Sequence, residues 1–412
     1  MVVPNKRLIA PLSGKRASAL RVAPENAPLG VARCSFGMTK PRASRLDWRI
    51  LRCNSNYSIS VNRPKQQRGS EKQSLLSLAW IAGSFYHKVV GSDTNGCNIM
   101  LVYAGDALAK YGFGEGHPFG PDRFHAFWKA FLTLGLDQRC SVLPPVDGAR
   151  EDLLLFHSPE YVQHVERMSE QGVGMLDPDT PIFSGAYEAA LTVVGSVLDA
   201  VTRIVDGEDS AAFVPIAGLH HARRSASAGF CIFNDCGIAV EALRHRHGLR
   251  RIAYVDIDAH HGDGVFYAFE GDPELIIADM HEDGRFLYPG TGHGYESGKG
   301  EAAGTKLNLP LLPGSDDTVF FKHWPEVADF IENGEPEFII LQCGADSLKG
   351  DPITSLSFSS AAHHHAAQSL YEIARRCGSK GLLALGGGGY NRDNIAKAWT
   401  AVVRGIIEAE RA

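Results

Sequence analysis

The sequence lacks the features of a disulfide scaffold, a cysteine-based zinc module and a membrane protein. Its eight cysteines are scattered over 412 residues, and no two of them form a Cys-x-x-Cys pair. This spacing argues against a disulfide framework and against a cysteine-zinc site. No run of about 18 apolar residues occurs, so no membrane span is predicted. These absences favour a reducing compartment, and we expect a cytoplasmic protein with no membrane partner.

Acidic residues are scarce in residues 1–97, which hold four of them against 16 lysines and arginines. The segment therefore carries a charge of +12, and the rest of the chain carries −18 within a total of −6. Because the body is acidic, we expect no direct nucleic-acid binding by residues 98–412. Residues 1–97 have three interpretations: a disordered extension of unknown role, a segment upstream of a natural start at Met100, or an organellar transit peptide.

Residues 98–412 alternate apolar runs with helical patterns. Short apolar runs that end in polar or glycine residues predict strands at 98–104, 211–217, 252–255, 274–278, 338–342 and 382–385. Continuously apolar strands that alternate with helices indicate an α/β fold, in which a central parallel sheet is covered by helices on both faces. Ligands bind such sheets at the carboxyl ends of the strands. We therefore expect the polar clusters that follow these strands to meet in one site.

The stretch Arg251–Gly264, RIAYVDIDAHHGDG, joins a predicted strand to a dense polar cluster. Asp256, Asp258 and His260 are spaced two residues apart, so an extended chain would turn them to one face. Converging carboxylates and imidazoles are costly to bury unless a cation neutralises them. Asp258 and His260 are the best metal ligands by spacing, and Asp346 offers a third after another strand. Three protein ligands with one open position are typical of a catalytic zinc site.

Two adjacent imidazoles, His220 and His221, follow another predicted strand. In the same pocket as a metal they are general-base candidates, because an unperturbed histidine titrates near neutrality. Each needs an acceptor to fix its tautomer, and Asp256 and Asp263 are available for this task.

Four glycines, Gly386–Gly389, precede Tyr390. A phosphate-binding loop is disfavoured because no Lys-Ser/Thr follows them. The other interpretation is a close backbone approach that projects Tyr390 into the pocket, where its hydroxyl would donate to a developing oxyanion.

Three further features are given no catalytic role. Gly172–Pro181 is predicted to be a polar loop. His363–His365 lie in a helical pattern and are expected at the surface. Cys231 and Cys236 are expected to be packing residues.

Taken together, several strings resemble the histone deacetylase superfamily, especially its bacterial acetoin-utilisation branch. These strings are GLHHARRSASAGFCIFND (218–235), YVDIDAHHGDG (254–264), YPGTGH (288–293), QCGADSLKGDP (342–352) and LGGGGYN (385–391). The resemblance covers about residues 98–410. It implies that residues 98–412 form a single catalytic domain of the arginase–deacetylase type.

The resemblance also implies a role for each matching position. It implies one zinc ion per chain, bound by Asp258, His260 and Asp346. The catalytic positions it implies are His220, His221, Asp256, Asp263 and Tyr390. It also implies substrate-binding positions. Phe230 and Tyr288 would be the aromatic walls of a tunnel for the acyl-lysine side chain, and Gly229 adjoins Phe230. Asp179 would be a rim carboxylate that binds substrate backbone, and Arg123 would lie near an acetate-release cavity.

Two positions depart from the family pattern. The family commonly has serine two positions before the strand-end histidine, where this chain has Asp279 before His281. The resemblance also implies a monovalent-cation site for K⁺, where Asp256 and Asp258 match the cation ligands and Asp279 changes the charge. Tyr288 stands where many members have phenylalanine, which makes the tunnel wall more polar.

The activity that the resemblance implies is zinc-dependent removal of an acetyl group from N-acetyl-lysine in proteins, giving acetate and a free amine. Hydrolysis of small acetylated amines such as acetylpolyamines, or of longer acyl groups, is the alternative within the same class. A metal-binding scaffold without turnover is the alternative from another class. An arginase-like binuclear hydrolase is disfavoured, because the sequence offers no additional ligands near Asp346.

Overall fold

A parallel sheet of eight strands forms the centre of the fold, as the apolar runs predict. In a computed structural model of the protein, residues 100–411 are described; the predictions for residues 1–97 and for the start of the strand at 98–104 lie outside them. The strands are β1 (Leu101–Tyr103), β2 (Ser141–Leu143), β3 (Val173–Asp177), β4 (Thr180–Phe183), β5 (Ala211–Val214), β6 (Ile252–Asp256), β7 (Leu275–Glu282), β8 (Lys306–Leu311), β9 (Phe338–Gln342) and β10 (Leu382–Leu385). All except β3 and β4 belong to the sheet, in the order β2-β1-β5-β10-β9-β6-β7-β8.

Every neighbouring pair in this sheet is parallel. All residues of β5, β6, β7, β9 and β10 are buried. Burial on both faces explains why these strands begin as apolar runs without alternation, whereas polar residues stand at the carboxyl ends of β6, β7 and β9. The two strands that sequence patterns did not predict, β2 and β8, lie at the sheet edges. β8 contains Lys306, Asn308 and Pro310, residues that edge strands tolerate and that hide a strand from pattern analysis.

Helices cover both faces of the sheet. The described residues contain α1 (Asp106–Ala109), α2 (Asp122–Thr133), α3 (Arg150–Leu153), α4 (Pro159–Gln171), α5 (Ala186–Val205), α6 (Asp235–His245), α7 (Asp263–Ala268), α8 (Asp317–Asn333), α9 (Ser360–Cys377) and α10 (Arg392–Glu410). α9 packs between α8 and α10 and contacts β9 and β10, whereas α5 packs on α3, α4 and α6 and contacts β5 and β10. Both groups contact β10, an interior strand whose residues are all buried, as expected where helices cover both faces of a sheet. The predicted α/β fold is confirmed.

Capping residues set the bounds of several helices. Ser158 caps α4 by accepting a hydrogen bond from the Tyr161 amide at 3.3 Å, and Pro159 is the first helical residue, as predicted. None of the helices within residues 100–411 combines the length and the apolar composition needed to cross a bilayer. All five cysteines of this part of the chain are unpaired.

Two local predictions were wrong. The polar loop predicted at 172–181 is an antiparallel hairpin of β3 and β4. Its strands are short and β3 is largely exposed, so no apolar alternation marks them. His363 was predicted at the surface, but it is buried and its Nε2 lies 2.9 Å from the Gly344 carbonyl. A helix presents adjacent residues to different sides, so one histidine of the three faces inward.

Candidate active site

Four neighbouring strands, β5, β10, β9 and β6, end at the same edge of the sheet. The chain that follows β5 carries His220 and His221, and the chain that follows β6 carries Asp258 and His260. With Tyr390, which follows β10, these side chains line one small cavity. The polar clusters that follow three of these strands thus meet in one place, as the parallel sheet predicts.

The three residues predicted to bind a metal converge on one point. Asp258, His260 and Asp346 are buried, and one ligand atom from each lies within 4.8 Å of the others. His260 Nδ1 is 3.0 Å from Asp258 Oδ1 and 3.3 Å from Asp346 Oδ2. Within residues 100–411 no other such group of histidine, cysteine or acidic residues occurs. The geometry is that of a mononuclear site.

The donor atoms of this group fit a divalent cation. Asp258 Oδ2 accepts hydrogen bonds from Gln342 Nε2 and from the Gly388 amide, both at 2.9 Å. Asp346 Oδ1 accepts one from the Ala259 amide at 2.9 Å, whereas the buried Oδ2 accepts none from the described residues. A buried carboxylate oxygen without a partner is costly. A zinc ion, which takes nitrogen and carboxylate ligands at about 2 Å, would satisfy it.

The charges of this group are strongly coupled. Burial favours a neutral His260, but ion pairing with Asp258 and Asp346 outweighs burial and raises its pKa to about 10. Burial and the adjacent Asp258 raise the pKa of Asp346 to about 7. His260 therefore favours its protonated form beside the two carboxylates, and binding of a metal would require that proton to leave.

Each of the paired histidines is oriented by its own carboxylate. His220 Nδ1 lies 2.7 Å from Asp256 Oδ2, and His221 Nδ1 lies 2.8 Å from Asp263 Oδ1. Their Nε2 atoms are 3.1 Å apart. The carboxylate partners predicted from the sequence are thus in contact with the predicted histidines. Tyr254 also donates to Asp256 Oδ2, at 2.6 Å.

The two histidines differ in proton affinity. Burial and the neighbouring charge of His220 lower the pKa of His221 to about 4. Burial also disfavours a charged His220, but Asp256 and Asp258 outweigh this and raise its pKa to about 9. His221 is therefore neutral at pH 7, and its Nε2, which faces His220 Nε2 at 3.1 Å, keeps a lone pair that can accept a proton.

The backbone of the glycine loop before Tyr390 lies close to the carboxylates of Asp346 and Asp258. This is the close backbone approach that was the alternative to a phosphate-binding loop. A Cβ on Gly388 would lie 2.1 Å from Asp346 Oδ2, so only glycine fits there. Arg123 is fully buried on the other side of the loop and donates from Nε to the Gly389 carbonyl at 2.8 Å and from Nη2 to the Gly387 carbonyl at 2.6 Å. Asp351 Oδ2 accepts from the Tyr390 amide at 2.8 Å.

Aromatic rings surround the entrance. The Phe230 ring packs edge-on against Tyr390, with centroids 5.7 Å apart. Tyr288, 44% exposed, packs edge-on against His221 at 5.2 Å. Tyr111 donates from its hydroxyl to the Phe230 carbonyl at 2.8 Å. Gly229 has a φ of 53° and approaches His221 so closely that a Cβ would lie 2.4 Å from the ring.

Asp179 lies near this entrance, in the turn of the hairpin. Its amide donates to Asp177 Oδ1 at 2.9 Å, and its side chain accepts from Thr180 Oγ1 at 3.3 Å. The Phe230 amide donates to Thr180 Oγ1 at 3.1 Å, which ties the hairpin to the aromatic wall. Burial and the adjacent Asp177 raise the pKa of Asp179 to about 6.

Sequence reasoning gave no role to four residues that hold the site together. They are Gln342, Tyr254, Asp351 and His363, which hydrogen-bond Asp258, Asp256, the Tyr390 amide and the Gly344 carbonyl, respectively. The polar Gln342 at the end of a buried apolar strand was the one available signal. The others contact groups that lie far away in the chain.

Comparisons with known proteins found matches over most of the residues that the structure describes. A family model described as the histone deacetylase domain matches residues 117–406. The acetoin utilization protein AcuC of Bacillus subtilis is 34% identical over 317 residues, covering 74% of this chain and 80% of that protein. Histone deacetylase 9 of Arabidopsis thaliana is 31% identical over 322 residues, covering 76% and 74%. A crystal structure of the HDA15 HD domain has a TM-score of 0.69 at 26% identity, covering 76% of this chain and 90% of that one.

Proposed function

Because the chain belongs to the histone deacetylase family, we propose that it is a zinc-dependent amidohydrolase that removes the acetyl group of N-acetyl-lysine in proteins. The observation that carries this proposal is the meeting of an Asp258–His260–Asp346 group with a neutral, carboxylate-oriented imidazole and a tyrosine in one cavity. Amide hydrolysis needs an electrophile, a base and an oxyanion donor, and these residues can supply all three.

Asp258, His260 and Asp346 would hold the zinc, which when bound polarises the amide carbonyl and acidifies the attacking water. His221 accepts the proton of that water, because it is neutral and Asp263 fixes its tautomer. It then returns the proton to the leaving amine. His220, held by Asp256, contributes a positive charge beside the reacting carbonyl.

Tyr390 would donate a hydrogen bond to the oxyanion of the tetrahedral intermediate. The phenol stays protonated, since burial and the carboxylates of Asp346 and Asp258 raise its pKa well above the usual value. Asp351 and Arg123 hold the loop on which it stands. A preorganised donor of this kind contributes about 3 kcal/mol to transition-state stabilisation.

The aromatic entrance supports an acyl-lysine substrate. Phe230 and Tyr288 are the proposed walls around the four methylene groups of the lysine side chain. Asp179 at the entrance is the proposed acceptor for a substrate backbone amide, which a protein substrate has and a polyamine lacks. This contrast favours acetylated proteins over small acetylated amines.

The proposal is tested with zinc-loaded protein on acetyl-lysine peptides, longer acyl-lysine peptides and acetylpolyamines, each with and without a hydroxamate inhibitor. We expect hydroxamate-sensitive acetate release that is fastest with acetyl-lysine peptides. A higher kcat/KM for an acetylpolyamine would replace the substrate assignment. Full zinc occupancy without turnover of any substrate would favour the metal-binding scaffold.

A His221→Ala variant is the control for chemistry. It should keep its zinc and lose turnover. The surface histidine His164 provides the matched substitution, His164→Ala, which should change neither property.

A further inference from the structure

Three carboxylates are buried at the adjoining carboxyl ends of β6 and β7. Asp256 and Asp279 are paired directly across the two strands, and Asp258 lies two residues further along the chain. Like charges this close in a buried setting require a positive partner. Asp258 belongs to the proposed zinc site, and Asp256 is in contact with His220. The remaining question is what neutralises Asp279.

His281 answers this question. It is completely buried, and its Nδ1 lies 2.7 Å from Asp279 Oδ1. Its Nε2 lies 2.9 Å from the carbonyl oxygen of Gly292. A carbonyl oxygen only accepts hydrogen bonds, so Nε2 carries a proton. A second proton must then lie between Nδ1 and the Asp279 carboxylate, because two lone pairs would otherwise face each other. With both protons in place, the pair is electrically neutral.

Each carboxylate oxygen of Asp279 and Asp256 already has a partner within the described residues. Asp279 Oδ2 accepts from the Gly262 amide at 2.9 Å. Asp256 Oδ1 accepts from the Asp258 amide at 3.0 Å, and its Oδ2 accepts from Tyr254 and is in contact with His220. This contrasts with the zinc group, where one buried oxygen of Asp346 accepts no hydrogen bond from residues 100–411.

The residues present therefore do not fit the K⁺ site that the family resemblance implied. We propose that the imidazolium of His281, and not a bound monovalent cation, neutralises Asp279 at the ends of β6 and β7, so that the protein's stability and activity do not depend on K⁺. The family's serine would leave the histidine without a carboxylate and the strand ends with one negative charge fewer. Aspartate and a doubly protonated histidine supply an anion and a cation from the chain itself.

The position of the pair links it to the catalytic residues. Asp279 faces Asp256, and Asp256 orients His220. An uncompensated charge on Asp279 would repel the charge of Asp256. The contact of His281 with Asp279 prevents this repulsion. Because both residues belong to β7, this contact cannot dissociate as a bound ion can. His261 packs on His281, with ring centroids 4.9 Å apart, and closes that side.

The test uses the zinc-loaded full chain in KCl, NaCl and choline chloride at equal ionic strength. The first readout is Tm, which needs no substrate, and the second is the rate with an acetyl-lysine peptide. We expect the same Tm and the same rate in all three salts. A Tm or a rate that rises along a saturating curve with K⁺, and not with choline, would overturn the proposal, because such a curve reports a bound ion.

Asp279→Ser provides the complementary variant, since it removes the carboxylate and restores a hydroxyl. We expect its rate in choline chloride to fall by about tenfold, the scale of one hydrogen bond to a charged group, and to recover with K⁺. The matched control is Asp283→Ser, which removes a carboxylate that pairs with Arg285 and should show no K⁺ response. An Asp279→Ser protein that is indifferent to K⁺ would contradict the proposal.

If Asp279→Ser does not fold, the parent protein still decides the matter. Nitrogen-15 NMR of the His281 ring should show protons on both nitrogens at pH 7, or a proton shared with Asp279. A ring with one proton and an unshared nitrogen would refute the assignment. Because Tm and NMR require no turnover, the failure of the proposed reaction would leave this result intact.

Discussion

Replacing Gln342 by leucine should weaken zinc binding although Gln342 is not a ligand. Its amide is fully buried and makes four contacts. Nε2 donates to Asp258 Oδ2 at 2.9 Å and to the Gly218 carbonyl at 3.1 Å, and it lies 3.3 Å from His220 Nδ1. Oε1 accepts from the Gly344 amide at 2.8 Å. Leucine has a similar volume, so packing changes little. The loss is one of hydrogen bonds.

The size of the effect follows from what each lost bond leaves behind. The Gly218 carbonyl and the Gly344 amide would be buried without these partners, at a cost of about 1–3 kcal/mol each. The free energy of unfolding should therefore fall by roughly 2–6 kcal/mol. Groups that orient a metal ligand change affinity by about 10- to 100-fold. Asp258 Oδ2 keeps its bond from the Gly388 amide, so we expect the lower end of that range.

Two measurements check this prediction. Zinc affinity is obtained by competition with a chromogenic chelator, and the free energy of unfolding by denaturant titration of the zinc-free protein. The matched control is Gln138→Leu at an exposed position, which should change neither value. An unchanged zinc Kd in Gln342→Leu would refute the reasoning, because Asp258 would then be positioned without it.

Three further predictions concern turnover. Tyr390→Phe should lower kcat by about 10²–10³-fold with an unchanged zinc Kd, and a near-parental kcat would exclude Tyr390 as the oxyanion donor. Asp351→Ala removes the acceptor of the Tyr390 amide and should lower kcat. In a double-mutant cycle, the effect of Asp351→Ala on kcat should be smaller in the Tyr390→Phe background. Full additivity of the two effects would show that Asp351 does not act through Tyr390. The pKa of Asp179 is raised to about 6, and its ionised form accepts a backbone amide more strongly than its neutral form does. KM for a peptide should therefore fall as pH rises through 6; a KM profile that Asp179→Asn leaves unchanged would remove Asp179 from substrate binding.

The sequence predicted the interior of the fold better than its margins. β9 and β10 lie where their apolar runs predict them, because interior parallel strands are buried on both faces and need no alternation. The edge strand β8 and the hairpin of β3 and β4 were missed, since half-exposed strands mix polar and apolar residues. Apolar sequence patterns indicate strands that are buried, and β8 and the hairpin are only partly buried, so no such pattern marks them.

The candidate site divides in the same way. Residues that stand together in one string, such as Asp258 and His260, could be assigned by spacing. Asp346 was found because it also follows a buried strand. Gln342, Asp351 and His363 act through backbone groups or through residues distant in the chain. No local pattern encodes such a contact, so they became visible only in three dimensions.

The glycine loop before Tyr390 has a consequence for heritable variation. The Gly388 amide of this loop donates a hydrogen bond to the Asp258 carboxylate, and the Gly387 carbonyl accepts one from Arg123. A methyl group on Gly388 would overlap Asp346. Residues without side chains thus carry a requirement as strict as that of any ligand. In a library that samples every amino acid at positions 387 and 388, selection for activity should return glycine alone, at two positions where no side chain takes part in the chemistry.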